Sequence, residues 1–135
     1  MTDDKTPPPM VWPSLRATDA RALIRFLVDV FGFAETVVYG EGDHVEHAQL
    51  SWPPGGGIML GSADRGPDDP WALKPGSFGA YVVSDDVRSI YDRVVRSGVE
   101  IIQEPHETDY GSYGFACRDP EGNRWSFGTY RGVGA

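Results

Sequence analysis

The chain of 135 residues carries two copies of one unit, 67 residues apart. In the first copy, Asp19-Ala20 opens a segment with apolar residues at helical spacing that ends at Gly32-Phe33. In the second copy, Asp86-Val87 opens a similar segment that ends at Gly98-Val99. Two copies of one unit must bury each other's apolar faces, and equivalent positions can build a site where the copies meet.

The hydrophobic periodicity predicts the order β-α-β-β-β in each copy. Asp19 is placed to cap the first helix. In the first copy we expect strands near Val11–Thr18, Ala34–Tyr39, Val45–Ser51 and Gly57–Gly61, with a helix from Asp19 to about Phe31. In the second copy we expect strands near Phe78–Ser84, Val99–Gln103, Tyr113–Arg118 and Arg124–Tyr130, with a helix from Asp86 to about Ser97.

The organisation predicted from these elements is one domain over residues 10–131. Its repeats cover residues 10–61 and 77–131, and a linker rich in Gly, Pro and Asp joins them over residues 62–76. Residues 1–9 carry two aspartates and three prolines and lack the apolar core of a signal peptide, so we expect a disordered leader there. A chain of this length buries roughly two-thirds of its unfolded surface without disulfides. No apolar run approaches the roughly 18 residues of a membrane span.

Charge and cysteine content narrow the partners and the compartment. The formal net charge is -8, which argues against binding to a phosphate backbone and so against nucleic acid. It mildly favours a cationic or neutral ligand, although simple solubility explains it better. The single cysteine, Cys117, excludes an internal disulfide and fits the reducing cytoplasm. The segment Asp119–Asn123 is a strong hairpin signal, because its proline presets the turn and its Gly and Asn tolerate positive φ.

Alternation within the predicted strands separates two faces of the sheet. One face is almost wholly apolar and is expected to receive the helices: Val11, Leu15, Ala17, Ala48, Leu50, Ile58, Leu60, Ala80, Val82, Phe115, Cys117, Trp125 and Phe127. The other face mixes aromatic, polar and small residues, as a ligand-lined concavity would: Trp12, Ser14, Arg16, His47, Gln49, Met59, Gly79, Tyr81, Val83, Gly114, Ala116, Arg124 and Ser126. An ordinary solvated sheet face is the alternative reading.

These features resemble the vicinal-oxygen-chelate superfamily, and more narrowly its bacterial glyoxalase/bleomycin-resistance/dioxygenase-like members. The resemblance is carried by the duplicated βαβββ units and by four motifs: Phe31-Gly32-Phe33, His47-Ala48-Gln49-Leu50, Asp109-Tyr110-Gly111-Ser112 and Asp119 through Gly128. It implies an α+β fold of two tandem βαβββ modules that form a curved, U-shaped mixed sheet, usually in a dimer whose sheets wrap a pocket. Relatives tend to read Gly-Ser-Arg where this chain has Gly111-Ser112-Tyr113, so a charged anchor for the ligand is absent or altered.

The resemblance also locates the positions where a metal would bind. Enzymes of the superfamily place His, Gln or Glu on the cavity-facing positions of the first and last strand of each copy. Carried over by position, these are Trp12, Met59, Gly79 and Ser126. A divalent site needs about three strong protein ligands, and indole, thioether, glycine and serine do not supply them. We therefore expect no metal and no other cofactor.

Other residues with potential chemistry give weaker signals. His47 lies near those positions, but its spacing of three from His44 predicts that the two point to opposite faces. His106 and Glu107 are expected in a solvated loop. Cys117 is expected to be a small buried apolar residue. General acid–base work by His47 with Tyr81 or Tyr110 rests on residue type alone, so no catalytic residue is assigned.

Two functional classes follow. The first is a metal-free protein that binds or sequesters a small, antibiotic-like molecule, aromatic or cationic, as bleomycin-resistance proteins do. Its expected ligand-binding residues are Trp12, Arg16, His47, Gln49, Tyr81, Tyr110, Tyr113, Arg124 and Ser126. The alternative is a lyase, isomerase or dioxygenase, supported only by the fold resemblance. In either case the open sheet edges of a half-barrel favour a homodimer with two equivalent pockets near the interface.

Overall fold

The structure, a computed structural model, describes residues 8–132, so most of the predicted leader lies outside the described residues. It confirms an α+β fold built from two βαβββ modules. The first module contains β1 (Ser14–Ala17), α1 (Ala20–Phe26) with a π-helical turn (Leu27–Phe31), β2 (Ala34–Glu41), β3 (His44–Ser51) and β4 (Gly57–Ser62). The second contains β5 (Gly79–Val83), α2 (Val87–Ser97), β6 (Ile101–Glu107), β7 (Tyr113–Arg118) and β8 (Arg124–Gly128).

Each module forms its own four-stranded mixed sheet. The strand order is β1-β4-β3-β2 in the first sheet and β5-β8-β7-β6 in the second, and the first pair in each is parallel. The register repeats with the sequence offset. Ala48 pairs with Leu60 in the first sheet, and Phe115 pairs with Phe127 in the second. The sequence repeat is therefore a structural repeat down to individual residue pairs.

Both helices follow an aspartate and end at a glycine, but only the first aspartate caps its helix through the side chain, and the helices differ by one residue in length. The Asp19 side chain accepts a hydrogen bond from the backbone N–H of Ala22 at 3.1 Å, which confirms the predicted cap. Gly32 and Gly98 end the helices with φ of 100° and 83°, a left-handed conformation that glycine adopts without steric cost. The first copy has one residue more between its aspartate and its glycine. The π-helical turn takes up this extra residue, since such turns widen one helical repeat.

The helix-covered faces of both sheets share one aromatic core. Phe31, at the end of the first helix, contacts Phe127 and Trp125 of β8 at ring-centroid distances of 4.7 and 5.3 Å. Phe33 also reaches Trp125 at 5.7 Å. Edge-to-face pairs of this kind add about 0.5–1.5 kcal/mol each beyond the burial of apolar area. The two modules therefore stabilise each other through their apolar faces.

The predicted hairpin between β7 and β8 is tied by one buried carboxylate. Asp119 Oδ1 accepts hydrogen bonds from the backbone N–H groups of Glu121 and Asn123. Its Oδ2 accepts from Asn123 Nδ2 at 2.9 Å and from Trp125 Nε1 at 2.8 Å. Asn123 in turn accepts from the backbone N–H of Phe78. The hairpin thereby holds the last strand against the start of β5.

Polar contacts also join the modules across the core. The Glu121 carboxylate accepts hydrogen bonds at 2.8 Å from the backbone N–H groups of Thr18 and Asp19, at the start of α1. The Trp52 indole donates to the Val83 carbonyl at 3.0 Å. A negative charge at a helix N-terminus is stabilising. Glu121 therefore both caps α1 and positions the second module on the first.

The alternation assigned the apolar face correctly except at its first member. Val11 is 81% exposed, because β1 begins at Ser14, after Pro13, and not at Val11. Two predictions about strands of the second module were also wrong. His106 and Glu107 lie in β6, not in a loop, because β6 runs from Ile101 to Glu107. The last strand ends at Gly128, two residues before the predicted end.

The prediction for His44 and His47 was wrong because β3 contains a β-bulge. Tyr39 pairs with His47 and Gly40 pairs with Val45, so Glu46 is an extra residue in β3. Val45 and Ala48 are both buried although three residues apart. A bulge shifts the alternation by one, so the neighbours of these residues, His44 and His47, both point away from the core.

Candidate functional site

A cavity of about 370 Å³ lies on the face of the first sheet that points away from the core. We call it the first-sheet cavity. Its volume falls in the range of small-molecule sites, and it combines two indoles with a few polar groups. It is lined by Trp12, Ser14, Arg16, Glu46, His47, Met59, Leu60, Gly61, Arg65 and Trp71. Three residues of the predicted ligand site, Trp12, Arg16 and His47, are thus brought together here.

Residues 63–78, which connect β4 to β5, cross this face and are called the strap below. Arg16 holds the strap: its Nε donates to the Trp71 carbonyl at 3.2 Å, and its Nη2 lies 3.5 Å from Asp69 Oδ2. Only 12% of the Arg16 side chain and 8% of the Asp69 side chain are exposed. The indole of Trp71 is 61% exposed beside the cavity. The predicted linker is therefore part of the site.

A second arginine anchors the start of the strap to the β-bulge. Arg65 donates to the Glu46 carboxylate at 2.6 Å and to the Ser62 carbonyl at 2.8 Å, and it also binds the carbonyls of Val45 and Glu46. A hydrogen bond from His44 and the positive charge of Arg65 lower the pKa of the Glu46 carboxyl. The bulge that turns Glu46 outward is what makes this ion pair possible.

His47 is held between neighbours on its own sheet. Its ring stacks on Tyr39 with 6.4 Å between ring centroids, and its Nε2 lies 3.2 Å from the Gln49 amide nitrogen. Gln49, another predicted ligand residue, thus borders the first-sheet cavity through His47. A histidine in such contacts can hydrogen-bond a ligand or accept a proton from it.

The remaining predicted ligand residues belong to the second module. Tyr81 donates to the Tyr130 carbonyl at 2.7 Å, and Tyr110 packs edge-on against Tyr130 at 5.4 Å, so these tyrosines meet beyond the end of β8. Tyr113 does not join them. Its ring packs against the core and its hydroxyl accepts a hydrogen bond of 3.4 Å from Arg88 of α2, because it shares the alternation of the buried Phe115. Arg124 is exposed beside Gly79, and Ser126 Oγ donates to the Phe115 carbonyl at 3.5 Å.

A larger cavity of about 460 Å³ opens between the modules, and we call it the inter-module cleft. Its floor is apolar and includes Phe33, Trp52 and Trp125, while Tyr81 and Arg131 stand at its rim. Arg131 pairs with Asp85 there at 2.6 Å. Within one chain the predicted site residues are therefore divided between two sheets, and Tyr81 borders a different cavity from Trp12.

Sequence reasoning missed the strap residues Arg65, Asp69 and Trp71 and the bulge residue Glu46. Trp71 was the signal that could have found the strap, since a tryptophan in a segment rich in Gly, Pro and Asp has no predicted core to enter. Arg16 and Trp71 are 55 residues apart, and no local pattern connects them.

The side chains at the family's metal positions do not fit a divalent metal. Of the positions carried over from the family, Met59 pairs with Ser14 in the first sheet and Ser126 pairs with Tyr81 in the second, so these two positions carry a thioether and a hydroxyl group. Neither type is a strong ligand for a divalent cation. Across residues 8–132, no group of three or more His, Cys, Asp or Glu side chains is placed to hold a metal ion. None of the helices in the same range is long and apolar enough to cross a membrane.

A duplicated βαβββ fold with a cavity on the outer face of its sheet defines the class of this protein. The family model for the Glyoxalase/Bleomycin resistance protein/Dioxygenase superfamily matches residues 10–127, and the chain belongs to that superfamily. No curated protein compared with the sequence matches it.

Solved structures extend the likeness over most of the chain. TioX from Micromonospora sp. ML1 is 25% identical with a TM-score of 0.73, and the match covers 94% of this chain and 98% of TioX. A glyoxalase/bleomycin resistance protein from Streptomyces sp. CB03234 is 25% identical with a TM-score of 0.63, over 84% and 94% of the two chains. Lactoylglutathione lyase from Agrobacterium tumefaciens is 24% identical with a TM-score of 0.65, over 90% and 94%. At this last identity the likeness establishes the fold alone.

Proposed function

We propose that this protein binds and sequesters a small antibiotic-like molecule, aromatic or cationic, without using a metal. The observation that carries the proposal is the first-sheet cavity, where two indoles face polar side chains in a space of about 370 Å³. Aromatic walls with a few polar groups are typical of binding sites for small organic molecules. The ligand-binding residues proposed are those predicted from the sequence, with Trp71 added.

A metal-independent site is proposed because of the donor set. Trp12, Met59, Gly79 and Ser126 replace the strong ligands that a divalent cation needs. We also propose a cytoplasmic protein, since Cys117 is the sole cysteine and lies buried as a free thiol.

A homodimer is proposed because both modules end in an open sheet edge. Within residues 8–132, β1 and β5 each pair with a strand on one side only. A two-fold axis that places a second chain against these edges would cover them and create two equivalent pockets near the interface. Light scattering at micromolar concentration should give twice the chain mass, and a strictly monomeric mass would reject the assembly.

Ligand binding can be tested by thermal shift with two sets of compounds, cationic antibiotics and small aromatic acids. Any true ligand should lose about 1–3 kcal/mol of binding free energy in Trp12→Ala, because stacking and apolar contact are removed. The variant should keep the wild-type melting temperature, since Trp12 lies outside the strands. An unchanged affinity for a confirmed ligand would show that Trp12 is not part of the site.

The alternative function is an enzyme of the superfamily: a lyase, isomerase or dioxygenase. Its support in the structure is His47, a residue able to transfer protons that borders the cavity. Elemental analysis separates the two functions. About one bound transition metal per chain, with a chelator lowering the melting temperature, would favour the enzyme and overturn the binding protein.

A further inference from the structure

We propose that the first-sheet cavity takes a planar aromatic molecule without net charge, which offers a hydrogen-bond acceptor to Arg16 and packs against Trp71 of the strap. This inference rests on the proposed binding function and narrows its ligand. It includes the strap, a segment that the sequence predicted only as a linker.

Two indoles from different parts of the chain line the cavity. Trp12 Nε1 donates a hydrogen bond of 3.1 Å to the Pro9 carbonyl. Trp71 belongs to the strap and is 61% exposed, so its ring is open to a ligand. Aromatic rings stack on one another with centroids about 4.5–7 Å apart, so both indoles suit a flat aromatic ligand.

The formal charges that surround the cavity cancel in pairs. Arg16 lies 3.5 Å from Asp69, and Arg65 lies 2.6 Å from Glu46. Glu46 also accepts a hydrogen bond from His44 at 3.1 Å. An anionic ligand would compete with the carboxylates for the two arginines, and a cationic ligand would compete with Arg65 for Glu46, the carboxylate that lines the cavity. A neutral ligand disturbs neither pair.

Arg16 retains a donor that the protein does not use. Its Nε binds the Trp71 carbonyl and its Nη2 faces Asp69, but Nη1 has no hydrogen-bond partner among residues 8–132. Gly61 makes room for it, because a Cβ at that position would lie 3.1 Å from Nη1. A guanidinium nitrogen with free N–H groups at a cavity wall is a binding site for a carbonyl oxygen or a ring nitrogen.

The strap is joined to the first sheet at two arginines. Arg16 donates to the Trp71 carbonyl and lies 3.5 Å from the buried Asp69, and Arg65 binds the Glu46 carboxylate and the backbone around the bulge. Separating the partners of a buried ion pair is strongly destabilising. These contacts therefore hold the backbone of Trp71 beside the first-sheet cavity.

Three probes with the same ring system test the charge of the ligand: 2-naphthamide, 2-naphthoate and 2-naphthylmethylammonium. The readout is the set of four indole N–H signals in a ¹⁵N–¹H spectrum of the full chain. Trp12 and Trp71 line the first-sheet cavity, whereas Trp52 and Trp125 line the inter-module cleft and serve as internal controls. We expect 2-naphthamide to move the first two signals only and to bind about 10-fold more tightly than either charged probe.

Two variants connect binding to the strap. Arg16→Gln should weaken 2-naphthamide by about 10-fold, because a hydrogen bond from a charged donor is lost. Trp71→Ala should weaken it by roughly 3- to 10-fold at an unchanged melting temperature, and it keeps the test valid if Arg16→Gln does not fold. Arg96→Gln is the matched control, since Arg96 is an exposed arginine in the last turn of α2 that does not line the cavity.

The outcomes separate this inference from the function on which it rests. A charged probe that binds more tightly than 2-naphthamide, or signals that move at Trp52 and Trp125, would overturn the inference and leave a small-molecule binding protein. Failure of all three probes would overturn it as well. The binding function itself is rejected only by the metal analysis and the broader thermal-shift screen.

Discussion

Leu60 and Phe127 hold the same place in the two modules, on the last strand and against the shared core, and both are buried. Leu50 of β3 and Cys117 of β7, on the neighbouring strands, are also equivalent and also buried. These four residues differ in size, but all are apolar. Because each core face packs on the other module, a polar substitution on either would be left without water or a partner.

The opposite faces of the sheets have diverged. His47 and Gln49 of the first module correspond to Gly114 and Ala116 of the second. The first face carries hydrogen-bonding side chains under a strap, whereas the second is lined by small residues beside a group of tyrosines. The comparison shows that mutual packing constrained the core of both copies and left the outer faces free to specialise. Four predictions test it, from the largest effect to the smallest.

The largest effect is expected in the shared core. Trp125→Ala should lower the free energy of unfolding by about 3–5 kcal/mol, since it leaves a cavity against Phe31 and removes a donor from Asp119. The equivalent residue in the first module is Ile58, and Ile58→Ala should cost about 2–4 kcal/mol. Urea denaturation measures both. If Ile58→Ala cost more than Trp125→Ala, the aromatic contacts of Trp125 would not be the main stabilising contacts of the core.

The second prediction concerns the two hairpins. Both close with the same backbone hydrogen bonds: Gly55 to Trp52 in the first and Gly122 to Asp119 in the second. Only the second has a buried carboxylate. Asp119→Asn should cost about 1–3 kcal/mol. An amide has one accepting oxygen, so the hydrogen bonds from Asn123 Nδ2 and Trp125 Nε1 are lost when its nitrogen takes the place of Oδ2. Asp68→Asn, at an exposed position of the strap, is the control, and an equal effect there would deny the carboxylate a special role.

The sequence was sufficient for the fold because its signals are local and repeated. Alternation placed Trp125 and Phe127 on the core face, and the turn residues predicted the Asp119 hairpin. It could not place the β-bulge at Glu46, since a bulge depends on the register of the paired strand. It also could not find the strap, because the contact of Arg16 with Trp71 joins distant residues without periodicity. Both of these missed features lie at the candidate site.

The third prediction concerns the thiol of Cys117, the residue of the second module that is equivalent to Leu50. Burial, with a smaller contribution from Asp119, raises the pKa of Cys117 from 9.0 to about 12. At pH 8 the folded protein should therefore hold about 1,000-fold less thiolate than the unfolded chain, and a disulfide reagent should react only after urea is added. Since the folded pKa is the higher one, this contribution to stability is complete below pH 9 and is lost as the pH rises toward 12.

The matched control moves the thiol to the first module. Leu50→Cys in a Cys117→Val background should be equally protected, because both positions are fully buried. Rapid labelling of either thiol at pH 8 without urea would show that the core of that module opens readily.

The smallest effect is expected at the bulge, where Glu46 of the first module corresponds to Tyr113 of the second. The Glu46 side chain is 64% exposed, so its ion pair with Arg65 is screened by water. Arg65 also binds the carbonyls of Val45 and Ser62, and these bonds remain in Glu46→Gln. The variant should therefore melt at the wild-type temperature at pH 7.

A difference should appear only in acid. The pKa of Glu46 is lowered in the folded protein, chiefly by the hydrogen bond from His44, so its contribution is present above the ordinary pKa of 4.5 and is lost as the pH falls through the lower, folded value. Wild type should lose melting temperature more steeply than Glu46→Gln below pH 4.5. Arg65→Ala, in contrast, removes the backbone bonds and should destabilise the protein at every pH. If Glu46→Gln matched Arg65→Ala at pH 7, the strap would depend on the carboxylate and not on the backbone of the bulge.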